Sequence, residues 1–197
     1  SFYGETKSWA ERELLDEVGY SAPAVIIRPQ NVIGPGQALH NPYTGVLAAF
    51  LARLREGRPL SIYGDGRQTR DFVHVADLAE LIVWNLQNPP QPSAPRILNC
   101  GTGVRTSLTQ LAEFSAAAAP HGASPIEYVD VHRAGDIEHA CADLSRLRAL
   151  GAPLPTRTSA QAVADFVVSS WAVDGAPSSL WDDALDELSR RGLAGES

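Results

Sequence analysis

The chain has 197 residues, enough for one ordinary domain or one and a fraction at about 150 residues per domain. Its composition, 44% hydrophobic, 20% charged and 7% aromatic, is that of a globular protein and excludes a disordered or collagenous chain. A formal net charge of −7 disfavours a nucleic-acid backbone or an anionic membrane as partner, so any anionic ligand must be held by local arginines.

Residues 6–18 place Trp9, Leu14, Leu15 and Val18 near helical spacing with charges between them, which predicts a helix ended by Gly19. Residues 24–33 form a β-branched run of the kind found in buried strands, broken by Gly34-Pro35-Gly36. A turn at residues 41–45 precedes an amphipathic helix over 46–56 that Gly57 closes. A short strand over 60–63 stops at Gly64-Asp65-Gly66, and residues 71–75 alternate like another strand. Asp77, with Glu80 three residues on, has the spacing of a capping box for a helix running through Asn88. Beyond the proline-rich loop 89–95, residues 96–100 read as a strand and Gly101-Thr102-Gly103 as a turn. Ser107 then caps a helix through the alanine run 116–119.

A strand over 126–131, a short helix over 144–150 capped by Asp143 and a helix over 160–171 follow. Strands and helices alternate throughout, which argues for an α/β fold. Residues 175–179 are a small-residue linker before a charged amphipathic helix over 180–191, whose narrow apolar stripe is Trp181, Leu185 and Leu188. That helix is expected to pack on its own domain, with a dimer or partner contact as the alternative.

No run of about 18 apolar residues is present, and no signal-peptide pattern opens the chain, so a membrane span is not expected. Two cysteines, Cys100 and Cys141, cannot make a disulfide framework, and a cytoplasmic location is the expectation. The chain has no methionine, so a piece of a longer protein is expected. His40, His121, His132 and His139 show no zinc-like spacing with the cysteines, and no metal is expected. His74 lies in an alternating strand pattern and is expected to be structural.

The chemistry concentrates near the start. Lys7 is the single lysine, and Tyr3 lies four residues before it, where i and i+4 side chains share a helix face. A phenol with an ordinary pKa of about 10 needs that value lowered by roughly 3 units, about 4 kcal/mol, to act as a base near neutrality. A neighbouring cation has the right sign for this.

Tyr3-Gly4-Glu5-Thr6-Lys7 resembles the Tyr-x-x-x-Lys motif of the extended short-chain dehydrogenase/reductases that act on nucleotide sugars. Three further segments resemble that family in its order: RPQNVIGPG at 28–36, IYGDGRQTRDFVHVADLA at 62–79 and RAGDIEHACAD at 133–143. The likeness covers roughly residues 3–171 and only the family's second half. The Gly-rich dinucleotide turn, the acid for the adenosine ribose and the Ser/Thr of the catalytic triad normally precede the tyrosine, and they are not found in this chain.

The resemblance implies a Rossmann-type parallel sheet, of which this would be the C-terminal part, with a small mixed α/β substrate-binding domain. Residues 1–35 would end the dinucleotide domain and 36–173 would be mostly the nucleotide-sugar domain, with 71–100 partly returning to the Rossmann part. Residues 174–197 would be the linker and terminal helix.

It also implies NAD as cofactor, a dTDP- or UDP-sugar as substrate and a homodimer. Tyr3 would be the general base/acid at the sugar hydroxyl, Lys7 would hold the nicotinamide ribose, and Pro29 would line the nicotinamide pocket. Asn31 would reach the substrate's phosphates, although a turn-forming amide fits the residue equally well. Ile62 and Tyr63 would meet the base, unless Tyr63 is a cross-strand core residue. Arg70 and Arg133 would clamp the diphosphate, for which the planar guanidinium fork is suited. A merely structural Arg70 would instead pair with Asp71 or Asp77. Asp136 would accept from the nucleotide ribose.

The turn at 41–45 is similar to that of bacterial epimerases acting on deoxyhexoses such as dTDP-rhamnose. The implied activity is epimerization, most simply at C4 through a 4-keto sugar. A 4,6-dehydratase, reductase or decarboxylase of the same family is the rival within enzymes, and a non-catalytic nucleotide-sugar-binding module is the rival outside them.

Overall fold

A computed structural model of the chain describes residues 2–17, 22–40, 45–92, 94–121, 124–130, 132–133, 137–190 and 194–195. In chain order these form α1 (Phe2–Glu17), β1 (Val25–Pro29), β2 (Asn31–Ile33), α2 (Val46–Arg55), β3 (Leu60–Tyr63), β4 (Thr69–Arg70), β5 (Phe72–His74) and α3 (Val75–Gln87). They continue with β6 (Arg96–Cys100), β7 (Thr106–Ser107), α4 (Leu108–Ala118), β8 (Ile126–Val129), β9 (His132–Arg133), α5 (Ser145–Leu150), α6 (Ser159–Ser170), α7 (Ser179–Arg190) and β10 (Ala194–Gly195). The expected stop at Gly19 and the turn residues 41–44 lie outside the described residues.

The β-branched run expected as one strand is two. β1 pairs in parallel with β6 as far as Pro29 opposite Cys100, and β2 pairs in parallel with β5 from Asn31 opposite Phe72. The exchange falls on one residue: the Gln30 N–H donates to the Cys100 carbonyl at 2.8 Å and the Asn31 N–H to the Asp71 carbonyl at 3.0 Å. Periodicity cannot show this, because every residue in the run keeps an extended backbone and only the neighbour changes. A third parallel pair, β3 with β8, and two antiparallel pairs, β4 with β7 and β9 with β10, complete the ladders.

Two hydrophobic clusters flank this framework. One gathers Phe50, Leu51, Leu60, Ile62, Phe72, Leu111, Val163 and Phe166 between α2, α4 and α6 and the strands β3 and β5. The other gathers Val73, Leu81, Leu98, Cys100, Ala142 and Leu147, with Val25, Ile27 and Val32 against it. A side chain the size of Leu or Phe contributes about 1.5–3 kcal/mol when fully buried, so these clusters carry most of the folding energy.

Helix starts follow side-chain chemistry. Ser107 and Thr158 each cap their helix with a reciprocal glutamine, Gln110 and Gln161, three residues on. The capping box expected from Asp77 and Glu80 is corrected: the N-cap of α3 is His74, three residues earlier, and its Nδ1 accepts from the Ala76 N–H at 3.0 Å. Asp77 lies inside the first turn and is buried, accepting from Arg157 Nη1 at 2.7 Å and from the Thr156 N–H at 3.2 Å. Asp143, expected to cap α5, instead stands one residue before the Leu144 N-cap of that helix, where its carboxylate accepts from the Ser145 N–H at 2.8 Å. Among the described residues no helix is long and apolar enough to cross a membrane.

Candidate active site

Helix α1 presents Tyr3 and Lys7 on one face, with the ammonium 5.4 Å from the phenol ring centroid. The pair stands in solvent, Tyr3 being 71% exposed, and the helix around it is steadied by the Thr6 hydroxyl donating to the Tyr3 carbonyl at 2.8 Å. Among the described residues Lys7 makes no ion pair, so its charge is available to a ligand. α1 is tied to β1 by Arg28, whose guanidinium grips both carboxylate oxygens of Glu11, one of them at 2.9 Å. That hydrogen bond, with the Coulombic attraction of the same arginine, holds the Glu11 carboxyl below the usual carboxylate range against a small desolvation cost.

The next residues follow along the sheet. Pro29 ends β1 and is exposed, as is Asn31, which opens β2. The Asn31 peptide bonds directly to that of Asp71, so Asn31 lies beside the Arg70-Asp71 step. Arg70 ends β4 half-buried, its Nη1 donating to the Thr69 carbonyl at 2.9 Å and reaching the Glu138 carbonyl at 3.4 Å. The carboxylates suggested as its structural partners are engaged elsewhere, Asp77 with Arg157 and Asp71 with a pair of loops.

Two hydrogen bonds, Thr69 N–H to Glu138 O at 2.9 Å and Ala140 N–H to Thr69 O at 3.1 Å, lay the segment after Arg133 alongside the Arg70 strand. Residues 138–140 thus run beside the Arg70 strand, while the Arg133 side chain and all of Asp136 lie outside the described residues. Tyr63 is half-buried at the end of β3, and Gln68 donates to its carbonyl at 2.9 Å. Ile62 requires a correction: at 1% exposure its side chain belongs to the core, because alternation along β3 turns Leu60 and Ile62 inward. Only its backbone is left to meet a ligand.

Asp71 is the organising residue that sequence reasoning missed. Completely buried, it accepts from the Thr102 N–H at 2.7 Å, the Thr102 hydroxyl at 2.7 Å, the Gly103 N–H at 3.0 Å and the Ala142 N–H at 3.1 Å. One carboxylate therefore pins the loop after β6 and the chain after Glu138 to the residue following Arg70. Gly101 makes room for it, since a Cβ there would stand 2.3 Å from Asp71 Oδ2. The available signal was the pairing of RD with the later GTG turn, which periodicity does not connect.

Cys100, which ends β6 next to this loop, has its thiol pushed up to about 11 by burial and then by the charges of Asp77 and Asp71. Among the described residues no cluster of three or more His, Cys, Asp or Glu side chains is placed to hold a metal ion.

A family model described as NAD dependent epimerase/dehydratase family matches residues 1–101. A dTDP-L-rhamnose 4-epimerase from Burkholderia thailandensis is 40% identical over 146 residues, covering 74% of this chain and 39% of that enzyme. Among solved structures, MoeE5 in complex with UDP-glucuronic acid and NAD superposes with a TM-score of 0.71 at 26% identity, covering 85% of this chain and 55% of the other. UDP-glucose 4-epimerase from Thermotoga maritima, solved with UDP-glucose, superposes with a TM-score of 0.67 at 25% identity, over 84% of this chain and 50% of that one. The chain thus spans about half the length, or less, of the proteins it matches.

Proposed function

Since the chain belongs to the NAD dependent epimerase/dehydratase family, we propose that it is the substrate-binding half of a nucleotide-sugar epimerase acting at C4. The observation that carries this reading is Tyr3 and Lys7 on one exposed helix face, tied through Arg28 and β1 to a row containing Asn31 and Arg70. The four-residue spacing and the availability of the Lys7 ammonium fit the nicotinamide-ribose end of NAD, with Pro29 at the sheet edge beside it. When bound, NAD supplies a reversible hydride acceptor. The 197 residues contain no Gly-rich turn, so the adenine end would be held by residues outside them, and by themselves they are expected to be inactive.

Within this reading Tyr3 acts as the phenolate, its negative charge stabilized by Lys7, and becomes a neutral phenol as it takes the proton from the sugar's C4 hydroxyl while the hydride leaves that carbon for the bound nicotinamide. The 4-keto sugar turns over in the site, and Tyr3 returns the proton to the opposite configuration. Arg70 and Arg133 hold the diphosphate while the sugar moves, Asn31 adds an amide contact, Tyr63 and the Ile62 backbone meet the base, and Asp136 accepts from the ribose. The nucleotide is uridine or thymidine, as in the relatives' own substrates. A homodimer in the cytoplasm completes the reading, with the exposed Phe2 and Trp9 of α1 as surface for contacts beyond this chain.

Incubating the protein that carries both halves with NAD and a panel of UDP- and dTDP-hexoses tests the assignment. An isomer of unchanged mass is the expected product, and loss of water would identify a dehydratase instead. Tyr3→Phe should lower turnover at least a hundredfold with nucleotide affinity unchanged, the usual scale for a general base. Full turnover in that variant would rule Tyr3 out as the base.

A further inference from the structure

Resting on the reading of Arg133 as a diphosphate ligand, we propose that the C-terminal extension formed by α7 and β10 is a strap that positions the Arg133 strand for the nucleotide sugar. β10 pairs antiparallel with β9, Ala194 opposite Arg133 and Gly195 opposite His132. The end of the chain thus supplies the backbone partner of the very residue expected to grip phosphate. A two-residue ladder is too small to persist by itself in water, so something must hold the two strands near one another.

That hold is α7. Ser178, just before the helix and 1% exposed, donates from its N–H to Glu56 Oε1 at 2.8 Å and from its hydroxyl to Glu56 Oε2 at 2.5 Å. Asp182, in the first turn, pairs with the buried Arg53 and with Arg58, the latter at 3.2 Å. Trp181 packs against the core built around α2 and α6. Further back, the Ala176 N–H donates to the Leu39 carbonyl at 3.2 Å, and Arg55 donates to the carbonyls of Ser170 and Val173. The start of α7 is thus fixed to α2 and the residues just after it, the linker before α7 is tied to Leu39, and three residues of sequence, 191–193, lie between α7 and β10. So short a tether keeps β10 at high effective concentration beside β9, turning a marginal pairing into a maintained one.

Coupling of this kind is reciprocal: if the docked strap tightens nucleotide binding by some factor, bound nucleotide must favour the docked strap by the same factor. The test uses UDP and dTDP as probes and the full chain as protein, with affinity read by calorimetry and docking by the rate of carboxypeptidase removal of the tail. The double variant Ala194→Pro with Gly195→Pro removes whichever N–H the ladder uses, and Ala194→Gly keeps it. The double variant is expected to bind the better nucleotide about tenfold more weakly with an unchanged melting temperature, and Ala194→Gly to bind like the parent. Asp182→Ala, which frees α7, should weaken binding in the same direction, and saturating nucleotide should slow tail removal in the parent alone.

Arg133→Ala separates the two layers of the inference. If Arg133→Ala weakens binding but the double proline variant binds like the parent, the strap is wrong and the diphosphate reading survives. If Arg133→Ala binds like the parent, or the parent binds neither nucleotide, the diphosphate reading falls and the strap falls with it.

Discussion

Asp71 concentrates more of the site's order than any residue expected to touch a ligand. Its carboxylate faces three backbone N–H groups and one hydroxyl in the interior, so an amide in its place turns at least one donor toward another donor. Asp71→Asn should cost about 3 kcal/mol, the scale of breaking a buried charged network. For a chain of this size that lowers the melting temperature by roughly 6–12 °C, which differential scanning fluorimetry resolves. Cys100 gives a pH signature from the same region. Its thiol titrates at about 11 when folded, against 9.0 as the ordinary value. The folded state therefore holds its proton longer, and the stability from that difference is whole below pH 9.0 and is lost as the pH climbs to about 11. The amount is about 2–3 kcal/mol, so the parent should lose that much more than Cys100→Ala across this interval in urea titrations.

Among the elements, the loop after β2 shows how closely the motif segments are fitted together. Gly34 has φ +143°, and a Cβ there would stand 2.8 Å from Val75 Cγ1 and 3.3 Å from His74 Nε2. Gly34→Ala adds backbone strain and a clash at the start of α3, and a loss of about 1–3 kcal/mol in chemical denaturation is expected. Most elements were legible: α2 and its closing Gly57, β3, β6, α4 with its Ser107 cap, and α6 all stand within a residue or two of where hydrophobic spacing and capping chemistry put them. What escaped were pairings that depend on distant partners. β4 and β7 are two residues each and exist because Thr69 meets Ser107 and Arg70 meets Thr106, a relation no local pattern carries. The partner exchange at Gln30 and the burial of Ile62 are of the same kind, set by which strand lies alongside. In the site, Tyr3 and Lys7 could be read because one helical turn joins them, and the approach of Arg70 to the chain after Arg133 could be expected only from resemblance.

At the level of the whole molecule, β2 and β5 belong to both hydrophobic clusters. Ile33 and Phe72 face the core that includes Phe50 and Phe166, and Val32 and Val73 face the one that includes Leu81 and Leu98. Alternation along two three-residue strands thus gives each core one wall made from the other's back. Neither side can melt and leave its neighbour intact, so scanning calorimetry should record a single endotherm whose calorimetric and van't Hoff enthalpies agree. Two resolved endotherms would mean that this shared partition does not couple the halves. Such a partition also lies directly under Asn31 and the Asp71 junction, so the residues proposed to grip the phosphates rest on the part of the molecule that cannot relax by halves. Local loosening, which other proteins use to admit a ligand, is therefore denied at that spot.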